Sequence, residues 1–139
     1  MNLYVLDTDT LQLLQEEHPT VAARVRATAP SALAISVITI EEQLSGWYTQ
    51  LRQARDHERL AWAYRRLAAT VRLLAKIQII DFDEPAIRRC EQLKKRKLKV
   101  RKMDLRIAAA VLECDAILVT RNMRDFRQVP SLRLEDWSR

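Results

Sequence analysis

Met103–Phe126, MDLRIAAAVLECDAILVTRNMRDF, decides the fold. Ile107, Ala108, Val111 and Leu112 recur at helical spacing, so the stretch opens with a helix carrying one apolar face. Ala108, Ala109 and Ala110 are small enough to let that helix lie close on a sheet. Asp104 stands where the helix begins, and Glu113-Cys114-Asp115 ends it. Ala116-Ile117-Leu118-Val119 is a short apolar run of the kind a parallel strand has when both its faces are covered. Thr120-Arg121-Asn122-Met123-Arg124-Asp125 then lies past that strand's carboxyl end, where open α/β sheets bind their ligands. Asp104 and the Asn122/Asp125 loop are therefore placed to meet in one crevice.

Upstream, the same alternation repeats. Leu3–Leu6 reads as a first strand ending at Asp7, with Thr8 and Asp9 suited to capping a helix. Leu11, Leu13 and Leu14 begin a helix that stops near His18-Pro19. Thr20 starts another, which Ala29-Pro30 breaks. Leu33–Val37 reads as a second strand. Thr39, with Glu42 three residues on, has the pattern of a capping box. From Ile40 to about Ala75 only Gly46 and the polar Asp56-His57 interrupt helix, giving two helices or one bent one. Ile77–Ile80 reads as a third strand. Asp83 and Pro85 suit the start of a helix bearing Ile87, Cys90 and Leu93, which runs into the basic stretch Lys94–Lys102. Leu132-Arg133-Leu134 adds a final edge strand. Strands that alternate with helices predict an α/β sandwich with a parallel sheet.

Bulk properties narrow the class. The 139 residues suit one domain over 1–139, and 48% hydrophobic content suffices for a packed interior. No apolar run approaches the roughly 18 residues of a membrane span. The start, MNLYVLDTDT, lacks the basic and long apolar segments of a signal peptide, so a cytoplasmic protein without membrane attachment is expected. Cys90 and Cys114 read as two reduced thiols. Lys and Arg total 24 against 18 acids, a net charge of +6 that favours a polyanionic partner.

Four positions share a placement just beyond a strand or at the start of the next helix: Asp7, Glu42, Asp104 and Asn122/Asp125. Parallel strands point their carboxyl ends one way, so these groups gather at one edge. Carboxylates at that density repel unless a cation joins them, and hard oxygen donors suit Mg²⁺ or Mn²⁺. Such an ion lowers the pKa of a bound water and stabilises charge on a phosphoryl group. Each residue also has a plainer reading. Asp7 and Asp104 suit helix caps, Glu42 a capping box with Thr39, and Asp125 a solvated loop charge. Lys94–Lys102 reads either as a solvated helix end or, through Lys99 and Lys102 beside Asp104, as a guide for an RNA backbone. Trp47, Tyr48, Trp62 and Tyr64 read as core or protein interface ahead of base stacking.

VLDTDTL at 5–11, SVITIEEQLSG at 36–46 and the 103–126 stretch together resemble the PIN-domain family, and are especially similar to the VapC-type toxins of bacterial toxin–antitoxin pairs. The order and spacing of the three blocks match over essentially the whole chain. The resemblance implies a PIN-like three-layer α/β/α sandwich with a mostly parallel central sheet, and a metal-dependent endoribonuclease. It implies Asp7, Glu42, Asp104 and Asp125 as catalytic acids, with Glu42 rather than Glu41 the second. Asp7, Asp104 and Asp125 or Asn122 would hold Mg²⁺ or Mn²⁺. Thr120 and Arg121 match a stretch that lines the cleft. It further implies an RNA substrate, a homodimer, and a cognate antitoxin that inserts a segment into the cleft; the helices of 40–75 are the expected partner surface. A glycine common before the third acid is replaced by the Leu98–Lys102 stretch.

Two rivals remain. A phosphoacceptor switch would need an acid adjacent to Asp7 and a lysine after the last full strand, and neither is present. An RNA-binding PIN-like module with an impaired metal site is left open by Asn122.

Overall fold

The computed structural model describes residues 2–139. In chain order these form β1 (Tyr4–Leu6), α1 (Thr8–Gln15), α2 (Pro19–Arg26), a 3-10 turn (Pro30–Ala32), β2 (Leu33–Ser36), α3 (Val37–Gln53) and α4 (His57–Leu74). They continue as β3 (Gln78–Ile80), α5 (Glu84–Lys95), α6 (Lys102–Glu113), β4 (Ile117–Val119), α7 (Met123–Phe126) and β5 (Arg133–Glu135). The strands make one sheet in the order β3-β2-β1-β4-β5, and all four pairings are parallel. The expected mostly parallel sheet is thus wholly parallel.

Alternation along each strand explains the layers. Val5, Ala34 and Leu118 point to one face, where they pack with Ala86, Cys90 and Leu93 of α5 and with Leu105 to Val111 of α6. Leu6, Ile35 and Val119 point to the other, against Leu11 of α1, Leu74 of α4 and Trp137. The three alanines of α6 are fully buried, which is what lets α6 lie between α5 and the sheet. Helices covering both faces account for the near-continuous apolar strands.

Several boundaries differ from the sequence reading for identifiable reasons. Ser36, not Thr39, caps α3: its hydroxyl accepts from the Ile38 amide at 3.0 Å. Val37 therefore opens the helix instead of closing β2, and the Thr39–Glu42 pair lies inside it, so no capping box forms. Arg101, not Asp104, holds the N-cap position of α6. The long helical region is two helices; Asp56 caps the second and Gly46 lies within the first. Trp47 of α3 and Trp62 of α4 pack edge to face, with ring centres 5.5 Å apart.

With one glycine in the chain, three helix stops place other residues in the left-handed region: Glu17, Lys97 and Asp115, at φ 60°, 54° and 50°. After α6 the Asp115 and Ala116 amides bond the carbonyls of Leu112 and Val111, both at 3.1 Å, the closing bonds of a Schellman motif.

Two outcomes follow from this packing, both read by urea unfolding. Leu118→Ala, in a fully buried central strand, lowers stability by about 3 kcal/mol with an unchanged m-value. Glu17→Gly relieves the left-handed strain and raises stability by about 0.5–1 kcal/mol.

Candidate active site

The chain runs outward from β1 through β2 to β3, then crosses back to β4 and β5. The order reverses between β1 and β4, and at such a switch point a crevice opens beyond the strand ends. Asp7 and Thr120 are the residues that leave those two strands, and the Asp7 amide donates to the Val119 carbonyl at 3.0 Å. The Asp7 side chain caps α1, its Oδ1 accepting from the Thr10 amide at 2.8 Å. It is only 5% exposed. Burial pushes its pKa up, partly offset by the Thr120 hydroxyl and the Thr10 amide. The charge of Asp9 adds to the rise.

Glu42 comes from α3. The Thr8 hydroxyl donates to Glu42 Oε1 at 2.6 Å and lies 3.1 Å from the Thr39 hydroxyl. A hydroxyl has one proton, so with Thr8 donating to Glu42, Thr39 donates to Thr8. This relay fixes one oxygen of Glu42. The other, Oε2, lies 4.0 Å from Arg101 Nη2.

Asp104 is the third residue of α6 and is buried. Its two oxygens accept a forked pair of bonds from Arg101, Nε to Oδ2 at 3.1 Å and Nη2 to Oδ1 at 3.2 Å. The Asp104 bond and charge raise the Arg101 pKa above its ordinary value, and the charges of Glu42 and Asp125 add to that effect. One guanidinium therefore feels three of the four acids.

Asn122 and Asp125 work as a pair. Asn122 Nδ2 donates to Asp125 Oδ2 at 3.0 Å, while Asn122 Oδ1 accepts from the Asp125 amide at 3.4 Å and so caps α7. The Thr120 hydroxyl accepts from the Asn122 amide at 2.9 Å. Thr120 itself has no exposed surface. Arg121 turns to Asp9, making a forked pair at 2.9 and 3.3 Å, and Lys99 and Lys102 are exposed on either side of Arg101 in the chain. A cavity of about 230 Å³ between α1, α3 and α4, lined by Gln12, Gln43, Gly46, Trp47 and Trp62 among others, is reached by Glu42 alone of the four acids.

Sequence reasoning missed Thr8 and Arg101 as site residues. The first has the signal of a hydroxyl beside the first acid; the second stands three residues before Asp104, the spacing at which side chains on a helix meet.

As donors, these carboxylates suit a hard divalent ion in kind. Among the described residues no three His, Cys, Asp or Glu side chains form a ready-made ion site, because a cation of the chain's own already stands among the acids. Arg101 occupies the carboxylate oxygens of Asp104 instead.

The description "PIN domain" matches residues 4–132. A protein of Haemophilus influenzae named ribonuclease VapC1 is 27% identical over 139 residues, covering 99% of each chain. The crystal structure of DNA-bound VapBC from Salmonella typhimurium contains a chain that matches with a TM-score of 0.82, at 26% identity over 99% of each chain. A toxin–antitoxin complex from Klebsiella pneumoniae matches at TM-score 0.70 and 25% identity, over 93% of this chain and 94% of that one. With an all-parallel five-stranded sheet, acids at its switch point and a match across almost its whole length, the chain belongs to the PIN-domain family.

Proposed function

We propose that this chain is a metal-dependent endoribonuclease, the toxin component of a type II toxin–antitoxin system, acting in the cytoplasm. The observation that carries the reading is the placement of Asp7, Glu42, Asp104 and Asp125 at one switch point, from four separate segments. The similarity to a ribonuclease and to chains from toxin–antitoxin complexes supports it.

The chain's own groups divide the work. Asp7, held by Thr10 and Thr120, fixes negative charge at the end of β1. Glu42 Oε1 is tied down by Thr8, so Oε2, which makes only a long ion pair with Arg101, is the oxygen left to orient a water or take its proton. Asp104 and the Asn122–Asp125 pair line the remaining edge. Mg²⁺ or Mn²⁺, when bound, supplies an activated water and charge on the phosphoryl oxygens. Lys99, Lys102 and the net charge of +6 favour the RNA backbone. The cognate antitoxin and a second copy of the chain are the protein partners of this reading. Tyr48 and Tyr64, exposed on α3 and α4, are the apolar surface offered to them. Among the described residues, no helix is long and apolar enough to cross a membrane.

The lack of a ready-made ion site among the described residues and the Arg101–Asp104 pair favour one rival, an RNA-binding PIN-like module with an impaired metal site. Incubating total and transfer RNA with the purified protein, with Mg²⁺, Mn²⁺ or EDTA, separates the two. The nuclease reading expects cleavage that EDTA stops and that Asp104→Asn reduces to the EDTA background. RNA binding without cleavage under every condition selects the module.

Lys99→Ala and Lys102→Ala each weaken RNA binding across sequences and lower the slope of log affinity against log salt by about one, read by fluorescence anisotropy.

The Asp7 carboxyl has a folded-state pKa above its unfolded value, so the folded state holds the proton more tightly. That contribution is complete below the usual carboxylate range and is lost as pH rises through the raised value. At pH 7 the buried charge is therefore a net cost. Asp7→Asn is expected to melt at a higher temperature than the wild type at pH 7, and the gap closes as pH falls towards 3.8.

A further inference from the structure

The acids have the chemistry for a divalent cation, yet among the described residues they form no ready-made ion site, and a cation of the chain's own stands between two of them. Arg101 bridges two of them from different elements. It forks onto Asp104 of α6 and brings Nη2 to 4.0 Å from Glu42 of α3. The pairing is lopsided: the Asp104 side chain is 8% exposed and that of Arg101 is 70% exposed. The anion is fixed in place by the fold, whereas the cation lies mostly in water and leaves without disturbing the core. Its backbone, at φ −59° and ψ 151°, asks for no special residue, and its side chain makes no cap bond. The guanidinium therefore serves neither packing nor the helix end. Arg121, just past β4, is instead paired with the exposed Asp9, and among the described residues no ion pair joins it to the four acids.

We propose that Arg101 is a resident counter-ion which fills the cation position between Asp104 and Glu42, and which a divalent metal must displace in order to bind. Without it, two carboxylates in a partly dry crevice would repel across the α3–α6 boundary. With it, Asp104 and Glu42 are held together while no metal is bound. The same contact raises the metal concentration at which the site fills. A fork of two bonds to a single carboxylate makes guanidinium a closer competitor than an ammonium group would be. This inference rests on the reading that the acids take a divalent cation.

The test is calorimetric titration of MnCl₂ into the wild type and Arg101→Ala, without RNA. Arg101 is exposed, so the variant is expected to fold, and its circular dichroism is checked first. Mn²⁺ affinity rises at least about tenfold in Arg101→Ala, since one competing charge close to the ligands is gone. Methylguanidinium added to Arg101→Ala weakens Mn²⁺ binding again, because it refills the vacated position. If the wild type binds Mn²⁺ and Arg101→Ala binds it no more tightly, the inference fails and the nuclease reading stands. If methylguanidinium leaves Mn²⁺ binding by Arg101→Ala unchanged, displacement is overturned in favour of a general charge effect. If neither protein binds Mn²⁺, both the inference and the metal dependence fall together.

Discussion

Burying Asp7 works against folding, because a carboxylate that leaves water loses solvation that two or three hydrogen bonds only partly restore. The neighbourhood of Asp7 is arranged around that cost. The Thr10 amide and the Thr120 hydroxyl face the carboxyl group, and the first turn of α1 presents its amide ends to it. The Asp7 amide, in turn, ties the end of β1 to β4. What stabilises this charge also fixes the β1–β4 junction, and the crevice beyond that junction is where the other acids arrive. An asparagine at position 7 would keep the cap on α1 without a buried charge; the carboxylate adds only what a site needs.

The other acids use three different supports. Glu42 is steered by a hydroxyl relay from Thr39 through Thr8, Asp104 by a guanidinium, and Asp125 by an amide that also caps its own short helix. Each support leaves part of the acid free: Glu42 keeps one oxygen off its relay, and Asp104 is held by a cation that solvent reaches.

Much of this was legible in the sequence. The α6–β4 stretch declares itself because its alanines and its unbroken apolar run satisfy helix and buried-strand periodicities in turn. The four acids declare themselves by standing beyond strands. The misread details have a common physical cause. Ser36 and Thr39 are both hydroxyl residues near the end of β2, and only the length of the strand decides which one caps α3. Arg101 was hidden among the cations of Lys94–Lys102, where charge pattern alone cannot tell a solvated lysine from an arginine forked onto Asp104. Thr8 read as a cap because a hydroxyl that steers an acid over thirty residues away leaves no local trace.

The order of the strands has a consequence for how the protein is made. β4 lies against β1 at the centre of the sheet, yet it is synthesised after β2, β3 and the four helices α3 to α6. A nascent polypeptide still missing β4 has Asp7 without Thr120 behind it and without the Asn122–Asp125 pair opposite. It also lacks the junction that makes the crevice. While its own ribosome is still extending it, the chain carries the parts of its chemistry without their assembly. Translation order thus delays the site until β4 has followed β1, β2 and β3, a sequence of events set by topology and independent of any partner.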